Sequence, residues 1–137
     1  MDTNKILVSG LVGGVVYFLL GFLLYGMLFA DFFAKNMGSA SGVEKDPINF
    51  PALIIGNLVM GLLLAVIFGR WAGIKTMSTG AVAGAVIGLL FALGDGLTMF
   101  GTTNIYTATA LVADIVIVTI MMAATGAAVG MMLGRGK

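Results

Sequence analysis

The chain has 137 residues, 60% of them hydrophobic and 9% charged, with a net charge of +1. A soluble globular domain carries about 25% charged residues, so this chain has too few charges to cover a water-facing surface, and most of that surface must face lipid. The absence of cysteine and histidine excludes disulfides, thiolate or imidazole metal sites and histidine acid–base chemistry, and the near-zero net charge gives no electrostatic footprint for nucleic acid.

A membrane-spanning helix takes ~20 predominantly apolar residues. Ile6 to Ala30 is the first uncharged run, between Lys5 and Asp31. It exceeds the ~7–15 apolar residues of a signal-peptide core, so it is expected to be retained as a span. The longest loop follows, 31–49, carrying Asp31, Lys35, Glu44, Lys45 and Asp46. Its Glu44-Lys45-Asp46 run lacks the alternating oxygen ligands of a calcium loop and reads as a solvated segment. Pro47 to Gly69 is the second uncharged run, closed by Arg70. Thr76 to Gly134 is interrupted only by Asp95 and Asp114. It is too long for one span and suits two, with a turn at Gly101-Thr102-Thr103-Asn104. The expected fold is all-α: one integral membrane bundle of four transmembrane helices at about 6–30, 50–72, 77–100 and 106–133.

Lysine and arginine bias sets orientation. Lys5, Arg70, Lys75, Arg135 and Lys137 fall on one side, and only Lys35 and Lys45 on the other. Both termini are therefore expected in the cytoplasm, with loop 31–49 outside and the bacterial inner membrane as the setting. Phe32, Phe33, Phe50, Trp71 and Tyr106 sit at span ends, as interfacial anchors do.

In lipid, helices associate through close packing of small residues. Gly80, Gly84 and Gly88 form such a stripe on the third helix, and Gly126, Gly130 and Gly134 on the fourth. Gly10, Gly14, Tyr17, Gly21 and Tyr25 lie along one face of the first. Such stripes either pack helices or line a narrow pore, and packing is the ordinary use. Three glycine faces on four short helices leave room for a homo-oligomer beside the single bundle. Besides the lipid bilayer, the expected partners are therefore further copies of the chain or a larger membrane complex.

A charged side chain at the bilayer centre costs ~2.5–3.5 kcal/mol, so the two aspartates need an explanation. Asp95 lies seven residues beyond Gly88, about 20° away around the helix, and is expected to point into the packed face. Asp114 shares a face with Thr107, Val118 and Thr125, roughly 120° from the Gly126 stripe. Asn57 and Tyr25 fall at similar depth, so each helix contributes a polar group to one layer. No lysine or arginine lies there. Either the carboxyls are protonated and hydrogen-bonded, or they open to water, or they meet a cation. Tyr25 and Asn57 also have a plain reading as helix-packing polar groups.

The segment Gly21-Phe-Leu-Leu-Tyr25-Gly-Met-Leu-Phe29, followed by Phe32-Phe33-Ala-Lys35, together with Leu111-Val-Ala-Asp114, resembles an uncharacterised bacterial family of small four-span membrane proteins, known as a domain of unknown function. Leu24 and Met27 stand where its members often have tryptophan and proline. The resemblance implies the four-span topology and draws interest to Tyr25 and Asp114.

The expected role is transport or permeation of a proton, small cation or cationic molecule through the acidic layer, since intramembrane acids mark such routes. The alternative is a non-transporting accessory or scaffold subunit that assembles through glycine faces. With no nucleophile beside a base, no enzyme, cofactor or metal centre is expected.

Overall fold

Each long helix begins where a side chain caps it. Asp2, Asn49, Thr76 and Thr107 accept hydrogen bonds from the backbone N–H groups of Asn4, Ala52, Thr79 and Ala110, satisfying donors that a helix N-terminus leaves orphaned. The computed structural model describes residues 2–41 and 49–135; the Glu44-Lys45-Asp46 run and Lys137 lie outside them. The helices are α1 (Thr3–Leu23), α2 (Ala30–Lys35), α3 (Phe50–Val66), α4 (Met77–Thr102) and α5 (Ala108–Leu133), and wide π turns extend α1 through Leu24–Leu28 and α3 through Ile67–Ala72. Among the described residues, four helices are thus long and apolar enough to cross a membrane: Thr3–Leu28, Phe50–Ala72, Met77–Thr102 and Ala108–Leu133. Among the described residues there is no strand, only an antiparallel bridge between Met37 and Tyr106.

Boundaries differ from expectation for identifiable reasons. α4 runs two residues into the expected turn, to Thr102, where Thr98, Thr102 and Thr103 donate their hydroxyls to the carbonyls of Gly94, Thr98 and Met99. Gly101 and Thr102 thus belong to the helix, while Thr103 and Asn104 lie in the turn as expected, which extends over 103–107. The 31–49 loop also holds α2, with Asp31 in its first turn and Lys35 in its last, the arrangement the helix dipole favours.

α4 packs on α5, α1 packs on both α3 and α5, and α3 makes a smaller contact with α5. The helices therefore form two pairs, α1 with α3 and α4 with α5, that meet along an α1–α5 seam. Within each pair the backbones nearly touch. A Cβ on Gly80 would overlap the carbonyl of Gly126, and one on Gly126 the carbonyl of Gly80; Gly84 stands likewise against Met122, Gly130 against Thr76 and Gly134 against Lys75. Gly88 packs on the Met122 side chain, Gly10 on Leu62, Gly14 on Leu58 and Gly21 on Met121. Every glycine of the three stripes thus meets its own chain. Gly13, against Val129, and Gly61, against the backbone of Gly10 and Gly14, make equally close approaches; Gly61-x-x-x-Ala65 was the readable sign of the second.

At the end of the molecule that carries the chain termini, Ile6, Leu64, Phe68, Met122, Val129 and Leu133 form the buried core. Arg70 donates to the Thr3 hydroxyl there at 2.7 Å, and the Ser9 hydroxyl is buried without a hydrogen-bond partner among the described residues. The opposite, loop end is built differently.

Candidate functional site

The first span ends in a π turn, a distortion frequent at functional sites, and Tyr25 sits on it. Its hydroxyl donates to Asp114 Oδ1 across the α1–α5 seam. Asp114 lies about 9 Å along α5 from Ala108, at 1.5 Å per residue. Beside Tyr25 stands the ring of Phe33 from α2, with centroids 5.2 Å apart and planes inclined by 36°. Phe32 meets Phe33 edge-on at 5.4 Å.

After α2 the chain is extended and is fastened to the α4–α5 turn. Gly38 N–H donates to Ile105 O at 2.8 Å, Ala40 N–H to Asn104 O at 3.0 Å, and the Thr107 hydroxyl to Asn36 O. Only glycine fits at position 38, since a Cβ would overlap the Asn104 carbonyl. The segment and the turn wall off a half-open cleft of about 650 Å³, lined by Tyr25, Phe33, Met37, Ser41, Tyr106 and Asp114 among others. None of its described lining residues is basic.

Of the four polar residues expected to share a layer, the structure brings two together, Tyr25 and Asp114. Asn57 donates to Leu53 O within α3 at 2.6 Å and does not line the cleft. Asp95 is exposed, which corrects its expected place in the packed face. A seven-residue count from Gly88 assumes a face that runs straight along the helix. The buried row is instead Gly80, Gly84, Gly88, Ala92 and Gly96, spaced by four, and such a row turns about 40° per step. At the depth of Asp95 the contact face has moved to Gly96, about 100° away. Asp95 still lies within electrostatic reach of Asp114.

Three contributors were not singled out as site residues. Tyr106 lines the same cleft as Tyr25 and Asp114, and Tyr17 lies near enough to Asp114 to feel its charge. Phe33 and Tyr106 read as interfacial anchors but line the cleft, whereas Trp71, 78% exposed, keeps an anchor's exposure. The helical spacing of Tyr17 and Tyr25 was a usable signal. Nothing in the sequence linked residues 33–41 to 103–107.

The site offers one carboxylate, engaged at one oxygen by a phenol and flanked by aromatic rings. Among the described residues, no group of three or more His, Cys, Asp or Glu is placed to hold a metal ion. Such a site can attract positive charge and can accept or release a proton.

The family model described as a protein of unknown function, DUF1761, matches residues 8–134, which include all four spans nearly whole. No curated protein and no solved structure matches the chain.

Proposed function

The chain belongs to the DUF1761 family, and for this membrane protein we propose a role in transport or permeation of a positively charged species that meets Asp114 at the floor of the loop-end cleft. A proton, a small cation and a cationic molecule all fall within that reading. The observation that carries it is an acid set well inside a span, lining a cleft whose described walls hold no basic residue. Stability alone is a weak reason for Asp114. A side-chain hydrogen bond between membrane helices contributes only ~0.6 kcal/mol on average and up to ~1.7, a small return for placing a carboxyl group inside a span. In this reading the glycine faces hold the bundle, both termini are cytoplasmic in a bacterial inner membrane, and the cleft faces outward. The experiment is flux into proteoliposomes: Asp114→Asn is expected to abolish pH- or cation-dependent flux while the protein remains folded. Wild-type protein without flux, or a variant with unchanged flux, sinks the proposal.

A second reading, an accessory or scaffold subunit, draws support from Asp95. This carboxylate is exposed on α4 beside Gly94 and near Gly101, both with open space where a Cβ would stand, a surface ill-suited to lipid. Under that reading, mild-detergent purification yields a fixed stoichiometry that Asp95→Leu disrupts. A strictly monomeric protein counts against it.

A further inference from the structure

We infer that the cleft takes a small organic cation, an amine or quaternary ammonium compound. The inference rests on the cation reading above and narrows it to one chemical class.

Size comes first. A volume of about 650 Å³ falls within the range of roughly 300–1,000 Å³ typical of small-molecule sites, and a single dehydrated metal ion would leave it mostly empty. Ligand count points the same way. Calcium takes six to eight oxygens and magnesium demands a near-ideal octahedron, whereas the described lining supplies one carboxylate, two phenols and the Ser41 hydroxyl. A cluster of three or more acidic or metal-binding side chains is absent among the described residues.

The walls supply the positive argument. Tyr25, Phe33 and Tyr106 bring aromatic rings and Met37 a polarisable thioether, and the Tyr25 and Phe33 rings stand together, 5.2 Å apart and inclined by 36°. Aromatic faces attract organic cations, and such cages are how proteins recognise quaternary ammonium groups. Tyr25 engages Oδ1 of Asp114, so one oxygen of the carboxylate is oriented and the other is left to balance the charge of the guest. An alkylammonium ion sheds its weak hydration easily, which suits a site about 9 Å below the helix end, whereas magnesium would need a near-ideal octahedron of oxygens that the described lining does not present.

The test is calorimetric titration of the purified full chain with benzyltrimethylammonium chloride. The expected result is saturable binding of one molecule per chain, insensitive to sodium and not competed by the uncharged alcohol 3,3-dimethyl-1-butanol. Phe33→Ala should weaken it about 2- to 30-fold, the range of one cation–π contact, and Phe33→Tyr should restore it, which separates a lost ring from a lost fold. Asp114→Asn should weaken it more than Phe33→Ala does. Absence of binding, displacement by sodium, or indifference to both Phe33→Ala and Asp114→Asn overturns the inference. If Asp114-dependent proton or metal-ion flux persists without benzyltrimethylammonium binding, the organic-cation assignment falls and the broader transport reading stands. If binding follows the expected pattern but no cation is moved, transport falls and the cation site stands.

Discussion

The Tyr25 hydroxyl reaches Asp114 from another helix, and that one bond carries both a structural and a chemical role. Tyr25→Phe keeps the ring beside Phe33 and removes only the bond. It is expected to lower stability by about 0.6–1.7 kcal/mol, a small drop in thermal midpoint in detergent, while changing any Asp114-dependent flux much more. Equal effects on both would make the bond purely structural. Ser9 offers the opposite case. Its buried hydroxyl has no partner among the described residues, and a buried unsatisfied group costs about 1–3 kcal/mol. Ser9→Ala should therefore raise the thermal midpoint, and a lowered one would show that the hydroxyl is satisfied after all. At this scale the sequence was legible where physics makes a residue conspicuous. An aspartate inside an apolar run must be explained, so Asp114 could be found. Tyr106 could not, because an aromatic residue at a span end is ordinary, and its role depends on which distant segment folds against it.

Helix-level features were readable to a greater depth. Uncharged runs and a turn cluster located the four spans, and the four-residue glycine rows marked the faces that meet. What the pattern hid was the direction in which a row turns. Gly80 to Gly96 follows the four-residue ridge of α4, and counting by seven led away from it to Asp95. The same geometry separates two kinds of glycine. Gly84→Leu pushes a side chain into the Met122 carbonyl, whereas Gly94→Leu enters open space. Overpacking typically costs about 1–3 kcal/mol and sometimes more. Gly84→Leu should thus lower the thermal midpoint or abolish folding, and Gly94→Leu should leave the midpoint nearly unchanged. If both are tolerated equally, close backbone approach is not what joins α4 to α5.

For the whole molecule, orientation is open to direct measurement because the chain has no cysteine, and every introduced thiol is therefore unique. With cytoplasmic termini, Ser39→Cys should react with a membrane-impermeant maleimide in intact spheroplasts, and Asn4→Cys only after lysis; the reverse pattern would invert the cleft. The arrangement of two helix pairs was not legible in the sequence, since hydropathy counts spans without saying which of them touch. That arrangement has a mechanical consequence. At the loop end the pairs are joined by directional bonds, Gly38 to Ile105, Ala40 to Asn104 and Tyr25 to Asp114. Toward the terminal end, the contact across the seam is apolar, as between Gly13 and Val129 and through the Ile6–Leu133 cluster. Van der Waals surfaces can slide with little loss where hydrogen bonds cannot, so the latched end acts as a fulcrum and the greasy end as the lever arm. Spin labels at positions 4 and 135 should therefore report a broader distance distribution than labels at 39 and 104.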